Sequence, residues 1–259
     1  MEINTGLTVA DFEAFLLIII RITSFMVTAP FFSTSNTPMR FKVGLGIFLS
    51  ILIQMAVPLT IPAYSNAIEY AFLIIKESTA GILIGLSANV SILALQFTGR
   101  IIDMEIGMSM ATIFDPTTRT QASLTGGLYN YLILMMLVVT DMHHFLLKAL
   151  ADSFQVIPIG GIHMGDTHDR VLEFFSSYFS IGFRLVLPVF AATLIISIIL
   201  GILSKVAPQM NMMAVGMQIK VLAGLGIIFL TAGLLPSMAD YVFENMQAMV
   251  ISIIKGMME

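Results

Sequence analysis

The chain has 259 residues, of which 58% are hydrophobic and only 11% charged, and its mean hydropathy is +0.96. Soluble domains have about 25% charged residues, so this composition excludes a soluble enzyme, a nucleic-acid-binding protein and a disordered regulator. The formal net charge of −4 provides no basic field for nucleic acid. Because the sequence has no cysteine, disulfides, thiol catalysis and cysteine-ligated metals are excluded. We therefore expect an integral membrane protein.

Six apolar segments approach the length that a bilayer-spanning helix requires, which is about 20 residues. In chain order they are residues 12–29, 43–68, 78–99, 120–140, 185–204 and 221–239. Only the first contains charges, Glu13 and Arg21, and acidic residues precede it, so we expect it to remain in the mature protein rather than act as a signal peptide. The segments show no two-residue alternation, which indicates helices. We expect an all-α, polytopic membrane protein of about six kinked helices arranged as hairpins.

Basic residues predict the orientation, because cytoplasmic connections carry an excess of Lys and Arg. With the amino terminus outside the cytoplasm, the inner connections hold six basic residues: Arg40, Lys42, Arg100, Arg119, Lys205 and Lys220. The acids on that side are Asp103, Glu105 and Asp115. The outer connections hold Lys148, Arg170 and Lys255 together with most of the acids. We expect the amino terminus on the outer side.

Prolines and embedded charges interrupt the apolar segments. Four prolines lie inside them or at their ends, namely Pro58, Pro62, Pro188 and Pro236. Each removes a backbone donor and predicts a kink. Arg21 and Arg184 lie within apolar runs, where a charge at the bilayer centre costs roughly 2.5–3.5 kcal/mol. We expect both arginines to find partners inside a helix bundle.

Small residues predict close helix contacts. Gly81 and Gly85 form a GxxxG pattern, which lets helix backbones approach each other. Similar small-residue groups occur at Gly44, Gly46, Ala223, Gly224 and Gly226. The pattern leaves open whether these contacts form within the chain or between chains.

We identify no catalytic, metal-binding or nucleotide-binding motif. Asp141, His143 and His144 follow an apolar segment without an HExxH spacing, and adjacent histidines are expected to point in different directions on a helix. We interpret them, like His163 and His168, as polar residues at the water boundary. The acids avoid the long apolar runs, and no P-loop or GxGxxG occurs. We therefore expect no enzyme, metal or cofactor.

Two connections have an unusual composition. Residues 99–121 combine glycines, three methionines, Phe114 and an Asp-Pro turn. Methionine is unbranched and deformable, so this segment suits a plug that moves aside, although an ordinary loop resting on the bundle remains the alternative. Residues 204–220 turn through Pro208, Gln209 and Asn211. They predict a helical hairpin whose tip meets a neighbouring subunit, with a plain hairpin as the alternative.

At these connections the sequence resembles the FliR family, the export-gate subunit of the flagellar type III secretion apparatus and of its injectisome relatives. The matching pieces are GMSMATIFDP at 107–116, PIGG at 158–161, and KVAPQMN at 205–211 followed by Gly216. Each motif is weak by itself. Their order and spacing, with the chain length and segment count, extend the resemblance over essentially the whole chain.

The resemblance implies a set of partners and a location. FliR chains assemble, one copy each, with FliP and FliQ into a conical helical pore in the bacterial inner membrane, within the flagellar basal body. FlhB surrounds the cytoplasmic entrance, and unfolded proteins pass through without catalysis by the pore itself. The complex sits higher than an ordinary bilayer plane, so its helices face protein as well as lipid. Residues 1–170 would correspond to a FliP-like part and residues 171–259 to a FliQ-like hairpin.

The resemblance also assigns two candidate sites. Residues 107–121 correspond to the family's pore plug, with the matching positions Gly107, Met108, Ser109, Met110, Ile113, Phe114, Asp115 and Pro116. The hairpin tip that contacts partners corresponds to Lys205, Pro208, Gln209, Asn211, Gly216 and Lys220. A flagellar system is the better match than an injectisome.

Two other classes of function remain as alternatives. A secondary transporter of a small solute would need inverted repeats and a polar site at mid-membrane where helices break. The sequence has kinks but neither of these features. An intramembrane hydrolase using His143 or His144 is the third and weakest interpretation.

Overall fold

The computed structural model describes residues 9–33, 37–57, 62–109, 123–163, 165, 167–209 and 212–258. Within these ranges the backbone forms eight α-helices and one 3₁₀ turn, and no strand. The first five helices are α1 (Val9–Thr28), α2 (Met39–Ala56), α3 (Ala67–Glu105), α4 (Leu124–Val139) and α5 (Met142–Val156). The others are α6 (Thr167–Val206), α7 (Met212–Thr231) and α8 (Leu235–Gly256), with the 3₁₀ turn Ala232–Leu234 before α8. The all-α prediction is confirmed.

Four helical stretches are long and apolar enough to cross a bilayer: Met39–Ala56, Ala67–Glu105, His168–Val206 and Val215–Gly256. The count rises to five if α4 and α5, which are bent at their junction, form one broken span. α1 is not among them, since Asp11 and Glu13 join Arg21 on this 20-residue helix. The chain is therefore a multi-pass membrane protein by the length and composition of its helices.

The helices do not coincide with the six predicted segments. α3 continues unbroken through residues 99–105, which we had assigned to a connection, and α6 begins 18 residues before the apolar run that starts at Leu185. α5 was not predicted at all, because it is amphipathic rather than continuously apolar. Glu, Lys and Arg are good helix formers. An apolar run therefore marks the part of a helix that suits lipid, and the helix itself extends further.

The prolines act in different ways. Pro188 lies inside α6, as predicted. Pro236 is the second residue of α8, and its ring is incompatible with the carbonyl of Ala232, four residues earlier. The backbone tightens into the 3₁₀ turn at this place, which divides the predicted segment 221–239. Pro62 precedes α3 outside any helix, and Pro58 lies outside the described residues.

The chain forms two compact units. Unit 1 consists of Met1–Val90, Thr140–Phe175 and Glu244–Glu259, and unit 2 of Ser91–Val139 and Ser176–Phe243. Each unit is thus assembled from segments distant in sequence. The predicted division at residues 170 and 171 concerns similarity to two other proteins, and it stays a prediction.

In unit 1, the GxxxG pattern joins α3 to α1 within the chain. A Cβ added at Gly81 would overlap the carbonyl oxygen of Arg21, and one at Gly85 would overlap the Thr28 hydroxyl. Hydrogen at these two positions is therefore what lets the helix backbones approach so closely. Gly46 makes a looser contact with Thr23, while an added Cβ at Gly44 meets nothing within 4 Å.

We expect Gly81→Ala to lower the free energy of unfolding by roughly 1–3 kcal/mol, because the backbone of α1 must move to admit the methyl group. Gly44→Ala is the matched control in unit 1. It should stabilise α2 by up to about 1 kcal/mol through helix propensity alone. Thermal unfolding of the detergent-purified chain measures both effects. Equal shifts for the two variants would contradict the close contact.

The core of unit 2 lies around the C-terminal end of α3. Ile102, Ile106, Tyr129, Val186 and Val189 are buried together there. Ile101, Met108, Ile227, Ile228 and Leu235 pack against this cluster. Gly224 of α7 permits the approach, since an added Cβ would overlap Ile106.

Large apolar areas remain uncovered by the part of the chain that the structure describes. In the most apolar stretch of α3, 61% of the residues are buried, whereas the corresponding values are 22% for α6 and 17% for α2. Leu222, Phe229 and Leu230 expose 75–79% of their surface. Such areas are far more extensive than a water-facing monomer presents. Lipid or other subunits must therefore cover α2 and the α6–α7 surface.

Candidate plug and partner-contact site

The candidate plug begins where α3 ends. Ile106 still donates its backbone N–H to Ile102, and Gly107 then takes a left-handed conformation with φ of 86°. A glycine in this conformation directly after the last helical turn is a common helix terminator, because it has no Cβ to clash. Met108 packs against the core of unit 2. Gly107, Met108 and Ser109 are thus described, whereas the predicted plug positions Met110, Ile113, Phe114, Asp115 and Pro116 lie outside the described residues.

Asp103 fixes the other end of the segment. This aspartate, only 6% exposed, lies one turn before Ile106 on α3. Its Oδ2 accepts the Ser123 hydroxyl at 2.7 Å, and its Oδ1 accepts both the hydroxyl and the backbone N–H of Thr125. The Ser123 hydroxyl oxygen in turn accepts the N–H of Gly126 at 2.8 Å, which caps the start of α4. Gly107 at the start of the candidate plug and Ser123, two residues after its end, are therefore both positioned by the same part of α3.

Gly99 of α3 and Gly126 of α4 lie against each other, one turn of α3 before Asp103. A Cβ added at Gly99 would overlap the backbone of Gly126, so α3 and α4 touch backbone to backbone. Gly99 was predicted to lie at the edge of a loop, and Asp103 had no predicted role beyond its charge. The available signal was an acidic residue near one end of the connection with Ser123 and Thr125 near its other end.

The candidate hairpin tip lies between α6 and α7. Lys205, Pro208 and Gln209 are exposed, and Ala207 donates its N–H to Leu203 at the end of α6. Asn211 lies outside the described residues. Gly216 is buried, and an added Cβ there would approach Leu200, so α6 and α7 face each other as the hairpin prediction requires.

Unit 2 brings the two candidate sites together. An added Cβ at Gly107 would lie 3.7 Å from Met217 and 4.0 Å from Val221 on α7. Lys220 Nζ lies 3.9 Å from Glu105 Oε2, and both side chains are about one third exposed. The start of the candidate plug therefore lies beside the helix that follows the hairpin tip, although more than 100 residues separate them in sequence. Neither motif predicts this proximity.

A buried ion pair organises unit 1. Arg21 Nε donates to Glu77 Oε2 at 2.6 Å and Arg21 NH2 to Glu77 Oε1 at 3.1 Å, with both side chains fully buried. Arg21 NH1 also donates to the carbonyl oxygens of Ser153 and Ile157, and the guanidinium lies 4.3 Å from the centre of the Phe154 ring. The expectation of a partner for Arg21 is confirmed. The sequence did not identify Glu77 as that partner.

The PIGG motif completes this ion pair. Gly160 has φ of 73°, and its N–H donates to Glu77 Oε1 at 2.8 Å. The exposed Lys76 donates to the Gly160 carbonyl at 3.0 Å. An added Cβ at Gly160 would crowd Leu73 and Pro62, in addition to the strained backbone angle. Glycine at position 160 is thus required both by its conformation and by its close approach to α3.

Arg184 differs from Arg21. It is exposed on α6, where NH1 donates to the Tyr241 hydroxyl at 3.4 Å and the guanidinium lies 5.4 Å from the centre of that ring. Within the described part of the chain it forms no ion pair with a carboxylate. Arg184 therefore has an aromatic partner at the surface of unit 2, where its charge is exposed, and the expectation of a partner inside the bundle was wrong for this residue.

The histidines at the start of α5 are closer than predicted. The His143 and His144 rings lie 4.1 Å apart between centroids, so the expectation that adjacent side chains point apart was wrong. His144 Nδ1 lies 3.4 Å from Asp141 Oδ1. His163 and His168 lie elsewhere, and His168 is beside Asp169 at the surface.

Comparisons with known proteins agree over most of the chain. The model of the family "Bacterial export proteins, family 1" matches residues 12–246. The chain is 32% identical to the flagellar biosynthetic protein FliR of Bacillus subtilis over 214 residues, which cover 81% of this chain and 82% of that protein. It is 30% identical to FliR of Pectobacterium carotovorum over 87% of both chains. It is 25% identical to FliR of Escherichia coli over 91% of this chain and 90% of that protein.

The range matched by the family model includes most of α1, the PIGG turn, both candidate sites and the first half of the last helix. The matches agree with the resemblance drawn from the three motifs, and they do not favour a solute transporter. The chain therefore belongs to the bacterial export proteins, family 1, and is a membrane-embedded component of the flagellar protein export apparatus.

Proposed function

We propose that this chain forms part of a non-enzymatic pore in the bacterial inner membrane, through which unfolded flagellar proteins are exported. Its partners in the pore would be FliP and FliQ, with FlhB at the cytoplasmic entrance and one copy of this chain in each complex. The family match supports this proposal, since relatives of nearly equal length are named flagellar biosynthetic proteins. The uncovered apolar surfaces of α2, α6 and α7 also suit a subunit surrounded by other helices.

We further propose that residues 107–121 plug this pore at rest. The observation that carries this step is the anchoring of both ends of the segment on α3, by the Gly107 turn and by Asp103. A segment held at both ends by one helix can be displaced and still return to the same place. The composition between the anchors, with Met110, Ile113 and Phe114, suits a deformable seal.

The position of Gly107 beside α7 supports a route for opening. A partner that binds the tip at Lys205–Lys220 would act on α7, whose Met217 and Val221 lie next to Gly107 at the start of the plug. The exposed lysine and polar side chains at this tip are available for an inter-subunit contact. We infer that docking at the hairpin tip and the position of the plug are coupled through α7.

A double substitution at the hairpin tip tests the partner contact. Gln209→Ala with Asn211→Ala should reduce recovery of the partner subunits several-fold when this chain is purified from its own membranes. The chain should still insert, because both changes lie in a connection outside the described helices. The matched control is Ser204→Ala, at the exposed end of α6. Undiminished partner recovery in the double variant would favour a plain hairpin.

The solute-transporter alternative has little support in the described residues. The buried Arg21–Glu77 ion pair of unit 1 already has partners within the chain. Four of the five guanidinium N–H groups of Arg21 donate to Glu77, Ser153 and Ile157. Such a saturated pair offers few groups to a passing solute. Solute uptake by proteoliposomes that contain this chain alone would revive the alternative.

A further inference from the structure

Three side chains of types that commonly bind metal ions lie close together at the start of α5. Asp141, His143 and His144 each place one possible donor atom within 4.8 Å of the donors of the other two. Asp141 holds a left-handed backbone, with φ of 57°, immediately before the helix. His143 and His144 follow in the first helical turn. The group therefore rests on a defined backbone and combines two imidazoles with one carboxylate.

The distance between Asp141 and His144 suits two ligands of one ion. Their Oδ1 and Nδ1 atoms are 3.4 Å apart, whereas a charge-assisted hydrogen bond is typically about 2.7–2.9 Å. Two ligands bound at about 2.1 Å to a tetrahedral zinc ion are separated by about 3.4 Å. The pair thus has the spacing of a tetrahedral edge and needs little adjustment to bind.

His143 has an unused ring nitrogen. Its Nδ1 is shielded from solvent and has no hydrogen-bond partner among the residues that the structure describes. Shielded polar atoms in proteins are usually paired, so this one calls for an explanation. Because no hydrogen bond at Nδ1 fixes the tautomer, the ring can present the lone pair of either nitrogen to a cation. Its ring also lies beside that of His144, at 4.1 Å between centroids.

We propose that Asp141, His143 and His144 form a binding site for a divalent transition-metal ion of the zinc type, with water in the fourth position. Imidazole and carboxylate ligands suit Zn²⁺, Ni²⁺ and Cu²⁺, while Mg²⁺ and Ca²⁺ prefer sites made of oxygen alone. A bound ion would tie Asp141 to the first turn of α5. This proposal replaces our sequence-based interpretation of the three residues as polar groups at the water boundary, and it is independent of the export function.

Zinc titration of the full chain tests the site. The chain is purified in detergent, within its native complex, through an affinity tag that contains no histidine, and Zn²⁺ is titrated in competition with a chromophoric chelator. Because the chain has no cysteine, its own thiolates make no contribution. The affinity attributable to this chain should fall about ten-fold or more in the double variant His143→Gln and His144→Gln. Mg²⁺ should not displace the zinc.

Two further variants test whether zinc binding depends on Asp141, His143 and His144 in particular. Asp141→Asn removes the carboxylate while keeping a residue that tolerates the left-handed conformation, so it should weaken zinc binding without disturbing α5. The matched control is His163→Gln with His168→Gln, which removes the chain's other two histidines and should leave binding unchanged. Equal zinc affinity in the wild type and in the His143/His144 variant would overturn the proposal. An equal loss in the His163/His168 control would also overturn it.

Discussion

Glu77→Gln is expected to lower the free energy of unfolding by about 3–5 kcal/mol. The substitution leaves the Arg21 guanidinium fully buried without its counter-ion, and breaking a buried ion pair from one side typically has this effect. The amide that replaces the carboxylate keeps one oxygen, which can still accept from Gly160, but its NH2 group cannot accept from Arg21, so the loss reports the missing charge together with one missing hydrogen bond. Thermal unfolding and the yield of inserted chain measure the effect.

A double-mutant cycle separates the pair from its surroundings. Arg21→Met leaves the Glu77 carboxylate without a counter-ion and should lower the free energy of unfolding as much as Glu77→Gln does. Arg21→Met combined with Glu77→Gln removes both charges, so it should be less destabilised than the sum of the single variants. The matched control is Lys76→Gln, one residue from Glu77 but exposed, with an expected loss below about 1 kcal/mol. Strict additivity in the cycle would show that the two charges do not stabilise each other.

Removing the candidate plug is expected to open the pore at rest. A chain in which a short Gly-Ser linker replaces residues 107–121 should raise leakage of ions and small molecules several-fold in cells or bilayers that contain the assembled complex. Ser123 donates to Asp103, which lies one helical turn before Ile106, so the ends that the linker joins lie near each other. The variant also loses Met108, which packs against the core of unit 2.

A length-matched variant tests whether the side chains of residues 107–121 form the seal. Replacing residues 107–121 with 15 Gly and Ser residues keeps the connection but removes its methionine and phenylalanine side chains. If those side chains fill the pore, this variant should leak as much as the shortened one. Assembly of each variant with its partner subunits is checked in parallel. A tight pore in a correctly assembled, shortened variant would remove the plug assignment.

The sequence predicted the features that depend on composition and local spacing. Uniform hydrophobicity predicted a membrane-embedded, all-α chain. Gly81 and Gly85 predicted a close helix contact without its partner, which the structure identifies as α1. Arg21 predicted a buried partner, since an isolated charge in an apolar run is costly. Helix ends were poorly predicted, because charged residues that leave the apolar region continue the helix, as in residues 99–105.

The features that were missed depend on contacts between distant residues. Glu77 is 56 positions from Arg21, and nothing in its local sequence distinguishes it from an exposed acid near a helix start. The same holds for Asp103, whose hydroxyl partners lie 20 and 22 positions away. The approach of the His143 and His144 rings was also missed, because it depends on side-chain rotamers that a sequence pattern does not indicate. The orientation of the amino terminus stays a prediction.

Native mass spectrometry of the chain, purified in mild detergent from its own membranes, shows whether it is a subunit of a larger pore. We expect a heteromeric complex that contains one copy of this chain with several copies of two smaller membrane subunits. The large apolar surfaces of α6 and α7 would then be covered by those subunits. A stable monomer or homodimer under the same conditions would contradict the account, because the chain would not then be a subunit of a larger export pore.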